Sequence, residues 1–376
     1  MAKEIKTYLD IDVLTAAKQR LKHIFNSFDS VLFAFSGGKD SLATIELADE
    51  VRKEMGITEP LKVFFRDEEV IPDDVIDFVQ AYYHSGRFDF RYYCIPLKSN
   101  KFVLGQTEAY IQWDNNREWI REKPEFAING EEGVVYDQYT ADEYITRGEV
   151  GKIAIVNGIR ADESLIRLRA CINKKNENYI NASNFKHIKL CKPIYDWSEK
   201  DIFKFFYERN IEYCVVYNKQ MWNSESLRVS TPLHSESAKN LKRLRATYPK
   251  FYEQLLQIFP DIVVQDRYWK DYDRYGIIDK YEPSFTGILH YINDHLTGSQ
   301  NTLAKQRMFE ARSYRESNMK KKGGAANWGG YPVLHVFKCI VNGQFKRTIQ
   351  ATKNPTKAEK EYEVRVAEWE SKNGRN

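Results

Sequence analysis

Six consecutive residues, Ser36-Gly37-Gly38-Lys39-Asp40-Ser41, hold the densest chemistry in this chain. A loop that meets a phosphate chain needs glycines, because a Cβ would keep the backbone amides away from the anion. It also needs a following helix whose first N–H groups and dipole favour negative charge. Gly37 and Gly38 meet the first demand, Lys39 adds a point charge, and Ser36 and Ser41 add hydroxyl donors. Asp40 is an acid among donors, with the expected role of orienting the loop or helping to hold Mg²⁺. A tight strand-to-helix turn would explain the glycines but not the Lys-Asp-Ser set after them. The Walker loop places four residues between its glycine and its Gly-Lys pair, so this spacing disfavours γ-phosphoryl transfer.

Two further segments supply charge that could reach the loop. Asp67 follows the apolar run 61–65, and a carboxylate at the carboxyl end of a parallel strand lies in the crevice where open α/β sheets bind ligands. Asp67 is therefore expected to face the ligand or a bound metal. Gly158, Arg160 and Arg167 follow a strand at 152–157, and the two guanidiniums offer forked donors to a phosphate or an acidic second substrate. A structural ion-pair ladder of Arg160, Glu163 and Arg167 along a helix is the alternative. Asp196 reads as a turn or cap residue, and Trp197 as core.

The elements that must position these groups alternate between strand and helix. Asp10 or Asp12 caps a helix with Leu14, Ala17, Leu21, Ile24 and Phe25 at helical spacing. The run 31–35 is apolar at every position, as in a strand buried on both faces of a parallel sheet, and it ends in the glycine loop. Leu42, Ile45, Leu47 and Val51 continue as a helix that Gly56 ends, and further strands are expected at 61–65, 90–95, 152–157 and 188–190. Ser198 and Asp201 form a capping box for the helix after the last strand. This pattern predicts an α/β, doubly wound, mainly parallel five-stranded sheet over residues 1–230, with an insertion at about 96–151 beside the active face. Residues 231–376 are expected to form a second, mainly helical and basic domain with a small strand at 333–341 and a charged last helix. Its Lys239, Lys242, Arg243, Arg245 and Lys320, Lys321 and Lys322 form either a nucleic-acid surface or a solvated face.

The bulk composition narrows the class. A chain of 376 residues with 42% hydrophobic and 29% charged residues buries a large core, and a net charge of +4 does not by itself mark a nucleic-acid binder. Five cysteines without a C-x-x-C pair predict reduced thiols and neither a zinc site nor an Fe–S cluster. With no signal-like start and no apolar stretch of about 20 residues, the expected location is cytoplasmic, with no membrane partner.

The loop resembles the PP-loop of the ATP pyrophosphatase superfamily, S-G-G-x-D-S after a first strand, matched at every fixed position by residues 36–41. The ends of strand two at Asp67, the Gly158 to Arg167 segment and Lys192-Pro193-Ile194-Tyr195-Asp196-Trp197-Ser198 are similar to the phosphoadenosine phosphosulfate reductase branch. That resemblance implies a HUP-type fold, ATP or a related adenine nucleotide as ligand, Mg²⁺, and chemistry at the α-phosphate. Lys39, Asp40, Asp67, Arg160 and Arg167 would then carry the reaction, and residues 36–41 with Asp67 and Gly158 would bind the nucleotide. The carboxyl-terminal part resembles the immunoglobulin-binding regulator A group of reductase-like proteins. The reductases' carboxyl-terminal E-C-G-(I/L)-H segment is missing; the region reads Arg228-Val229-Ser230-Thr231-Pro232-Leu233-His234-Ser235.

Three functions follow from these readings. The first is adenylation of an acceptor with pyrophosphate release, such as a nucleic acid or a sulfur-insertion substrate, with a partner protein supplying any sulfur relay. The second is nucleotide sensing without turnover, coupled to nucleic-acid binding. The third is a sulfonucleotide reductase that borrows its thiol from Cys171.

Overall fold

The computed structural model describes residues 9–172, 177–223, 229–235, 237–268, 276–322 and 325–373. Helix α1 (Val13–Ser27) starts at Asp12, whose carboxylate accepts from the Thr15 amide at 3.0 Å, and it buries Ala17, Leu21 and Ile24. Strand β1 (Ser30–Ala34), helix α2 (Lys39–Glu54), β2 (Lys62–Arg66), α3 (Asp73–His84) and β3 (Asp89–Cys94) follow. The expected insertion contains a hairpin of β4 (Leu97–Val103) and β5 (Gln106–Gln112), a two-residue strand β6 (Ile128–Asn129) and α4 (Gln138–Ile145). Leu104 and Gly105 turn that hairpin at φ 40° and 85°, the positive values a tight two-residue turn needs. The core then resumes with β7 (Ile153–Val156), α5 (Leu165–Ile172), β8 (Ile180–Ala182), β9 (Ile188–Cys191), α6 (Glu199–Arg209) and α7 (Val216–Trp222).

The sheet order is β6-β3-β2-β1-β7-β9-β8, parallel except for β8. All five expected strands occupy its centre; the sheet has seven because the short β6 and β8 extend its edges. Strand β1 is covered on both faces. Phe33 packs with Leu21, Ile24 and Leu42, while Leu32 packs on the other side with Phe64, Ile155 and Ala141 of α4. Full burial of a side chain such as Phe33 contributes about 1.5–3 kcal/mol. Two apolar faces explain why the run 31–35 shows no alternation. From β1 the chain proceeds to β2 and β3 on one side and later to β7 and β9 on the other, so the order reverses beside β1. Its carboxyl end is where such sheets open a crevice.

Contacts divide the chain between Arg267 and Tyr268 rather than at 230/231. The reason is packing: Leu241 of α8 (Leu241–Thr247), Phe251, Tyr252 and Leu255 of α9 (Pro249–Ile258), Phe259, and Ile262 of α10 (Ile262–Tyr268) share a core with Val70, Tyr110 and Ile120. These helices belong to the sheet-bearing unit. The second unit packs α11 (Phe285–His295), α12 (Gly298–Lys322), α13 (Val333–Val341) and α14 (Lys357–Asn373) around Ile288, Ile292, Met308, Phe337 and Tyr362. Residues 333–341 are thus a helix, not the expected strand. Buried Val333, Val336, Phe337 and Ile340 recur at i, i+3, i+4 and i+7, and the Glu363 carboxylate accepts from the first helical amide, Val333 N, at 2.6 Å. No strand occurs in the second unit among the described residues.

Candidate nucleotide site

Strand β1 delivers residues 36–41 directly to the amino end of α2. Gly38 is the N-cap, and Ser41 closes the loop on itself: its Oγ accepts from Ser36 N at 3.1 Å and donates to Gly38 O at 2.9 Å. Gly37 sits at φ 71°, and a Cβ there would lie 2.8 Å from Val75 Cγ1 and 2.9 Å from Val79 Cγ2 of α3. Gly158, after β7, lets two backbones touch, since its Cβ would stand 2.5 Å from the Asp40 carbonyl atoms and 2.6 Å from Ser41 N. Neither glycine tolerates a side chain, for conformational reasons at the first and steric ones at the second.

A cavity of about 790 Å³ opens in front of this loop. Ser36, Gly38, Asp40 and Ser41 line it together with Gly158 and Arg167, as the sequence leads one to expect. Arg66, Glu68, Gln138, Asp142, Glu163, Lys192, Tyr217 and His234 are among its other polar lining residues, and Phe64, Ile155 and Leu190 supply an apolar floor from the sheet. Gln138 and Asp142 come from α4, so the insertion does border the cavity.

Four expected contact residues do not line it, the first being Gly37, which faces Val75 and Val79 of α3. Lys39 is buried, with its amine 3.2 Å from Asp40 Oδ2 and 3.3 Å from Glu199 Oε1, lying beneath the loop rather than in front of it. Arg160 is also buried; its Nε donates to Asp40 Oδ1 at 2.5 Å, so it positions the loop acid instead of meeting a ligand. Asp67 is fully buried against Arg121, at 2.5 Å, and Tyr92, whose hydroxyl donates at 2.6 Å. Burial and the Asp67 charge together push the Tyr92 phenol upward. The physical reason is strand parity: Phe64, Arg66 and Glu68 point to the cavity, so Val63, Phe65 and Asp67 point away. Arg117 grips the buried Glu69 carboxylate with two bonds of 2.6 Å and ties the insertion to the same turn. Period-two alternation along residues 63–68 was the signal that would have selected Glu68 over Asp67.

Tyr217, like Gln138, Asp142 and Asn157, lines the cavity without a mark in the sequence. Helix α7 brings its hydroxyl to accept from Lys39 N at 2.7 Å, at the first turn of α2, and burial raises its phenol pKa. Opposite, burial raises the Asp142 carboxyl, partly offset by Arg66, whose Nη1 is 4.0 Å away. The expected ion-pair ladder is present in part, since Arg167 pairs with Glu163. Arg228 lies outside the described residues. Lys242 and Arg243 are exposed on α8 and Lys320 is exposed on α12; none lines the cavity, and the side chains of Lys239, Lys321 and Lys322 lie outside the described residues.

A resident Mg²⁺ does not fit these residues. Both Asp40 oxygens are engaged by cations, Glu163 is paired with Arg167, and no group of three potential ligands occurs among the described residues. All five cysteines are buried and none lines the cavity.

The family described as phosphoadenosine phosphosulfate reductase domain matches residues 30–276, a span that starts at β1 and includes the whole cavity lining. The chain belongs to that family. Within this reductase-domain family, its loop is the PP-loop of a nucleotide-binding fold. The Escherichia coli K12 protein YbdN, whose function is uncharacterized, is 28% identical over 217 residues, covering 54% of this chain. The chain spans only about half of YbdN, 53% of its length. Among solved structures, Candida glabrata FMN adenylyltransferase with FMN and an ATP analog is similar at 15% identity and a TM-score of 0.38, covering 57% of this chain and 65% of that one. Candida auris phosphoadenylyl-sulfate reductase is similar at 12% identity and a TM-score of 0.34, covering 57% and 90%. No helix among the described residues is long and apolar enough to cross a membrane.

Proposed function

We propose that the chain binds ATP or a related adenine nucleotide in the 790 Å³ cavity and transfers the adenylyl group to an acceptor, releasing pyrophosphate. The observation that carries this reading is the PP-loop itself: Ser36, Gly38, Asp40 and Ser41, at a helix amino end, line a cavity of nucleotide size, where a diphosphate would take over donors that bond within the loop in this structure. A diphosphate cradled there leaves the α-phosphate toward the sheet crevice, where an acceptor can attack in line. The bond from acceptor to α-phosphorus forms, the bond to the bridging oxygen breaks, and the leaving pyrophosphate stays on the loop donors. Arg160 and Lys39 act behind the loop by fixing Asp40, and Gly158 sets the distance between β7 and the loop. Buried thiols that do not reach the cavity count against sulfonucleotide reduction. Incubation with ATP, Mg²⁺ and candidate acceptors is expected to yield pyrophosphate that disappears in Asp40→Ala; ATP that stays intact and unbound under every condition refutes the reading.

A further inference from the structure

Lys192 lies outside the glycine loop but lines the same cavity. It follows β9 and is 8% exposed. Its backbone is held by Lys192 N donating to Tyr179 O at 2.8 Å, while the neighbouring Cys191 O accepts from Asn157 N at 2.8 Å. No carboxylate among the described residues pairs with its amine. Burial lowers its pKa, and the Arg167 guanidinium lowers it further; the buried Cys171 thiol acts in the opposite direction. A buried ammonium that no carboxylate among the described residues pairs with is an uncompensated charge, costly until an anion arrives.

The location matters as much as the charge. In the order β1-β7-β9, Lys192 stands two strand spacings from the PP-loop strand, about 10 Å at roughly 4.8 Å each. On the adenylylation reading the loop holds the nucleotide's diphosphate, and Lys192 lines the same cavity two strands away.

We propose that Lys192, in the cavity that Arg167 and its partner Glu163 also line, forms a second anion subsite that holds the acceptor, a small oxyanion of the carboxylate, phosphate or sulfate class. This rests on the adenylylation reading above and names its second substrate. An acceptor that is already an anion attacks the α-phosphate through its own oxygen. The oxygen–phosphorus bond forms, the α–β bridging bond breaks with its electron pair leaving on pyrophosphate, and a mixed anhydride results. No proton has to be removed from such an acceptor.

The test uses the full chain with α,β-methylene ATP bound to saturation, titrated calorimetrically with inorganic sulfate, inorganic phosphate and acetate. At least one anion is expected to bind the wild type, about tenfold or more weakly in Lys192→Gln and Lys192→Met, and close to normally in Lys192→Arg. The affinity for the nucleotide analogue is expected to stay the same in all of these. Absence of anion binding to the wild type, or equal binding in both neutral variants, overturns the subsite while leaving the nucleotide reading intact. Weaker analogue binding with unchanged AMP binding in the neutral variants also overturns it, because Lys192 would then hold the nucleotide's own phosphates. Failure of the wild type to bind the analogue at all removes both readings.

Discussion

Gly158→Ala is expected to abolish nucleotide binding while leaving most of the fold in place. The added Cβ would sit 2.5 Å from the carbonyl carbon and oxygen of Asp40 and 2.6 Å from Ser41 N. Non-bonded heavy atoms settle at about 3.5–4.0 Å, so the first turn of α2 and the end of β7 must separate by about 1 Å. Both contacts are backbone, so no side chain can rotate away to absorb the strain, and overpacking of this kind costs about 1–3 kcal/mol. The same shift moves the loop amides off the phosphate positions, and each charge-assisted bond lost is worth about 1.5–3 kcal/mol. Two such losses lower affinity at least a hundredfold. Calorimetric titration with ATP and a thermal melt measure the two effects separately. Gly86→Ala is the control: Gly86 also has a positive φ, 65°, but its Cβ would meet nothing within 4 Å, so backbone strain appears there without loss of binding. A Gly158→Ala protein with wild-type affinity and melting temperature refutes the claim that this close approach sets the loop.

Asp67→Asn is expected to lower stability by about 3–5 kcal/mol, because it breaks a buried pair with Arg121, while ATP affinity stays unchanged; Glu68→Gln is expected to keep stability within about 0.5 kcal/mol. Urea titrations of both variants check this, and an Asp67→Asn protein of normal stability that has lost ATP binding would restore Asp67 to the ligand. Glu50 joins α2 to Arg209 at 2.8 Å and to Lys18 at 2.6 Å, and the Arg209 bond, opposed by partial burial, depresses its pKa below the ordinary 4.5. Its stabilisation is therefore fully present above pH 4.5 and is lost as pH falls through the lower folded value. The stability gap between wild type and Glu50→Gln is expected to be constant near neutrality and to close in acid; a gap that persists below the folded pKa contradicts the assignment.

Local spacing made much of the sheet-bearing unit legible. The five apolar runs, the Ser198–Asp201 capping box and the glycine loop each depend on neighbours within a few residues, and all stand where the pattern put them. The helix at 333–341 shows where this fails: Val and Ile suit a strand by composition, but the buried set 333, 336, 337 and 340 has the helical period, and burial is what distinguished them. The same distinction separates Glu68 from Asp67, since one residue of strand parity exchanges cavity for core.

By itself, the sequence determined the glycine loop between β1 and α2, the alternation of strands and helices, and the reductase-domain family, because these reside in contiguous motifs. Only the tertiary structure decided that Lys39 and Arg160 bond to Asp40 away from the cavity, that the Tyr217 hydroxyl accepts from Lys39 N, and that Lys192 lines the cavity. Those facts depend on which strands lie side by side and which face of each is turned inward. Contacts between residues more than a hundred positions apart leave no local periodicity to read.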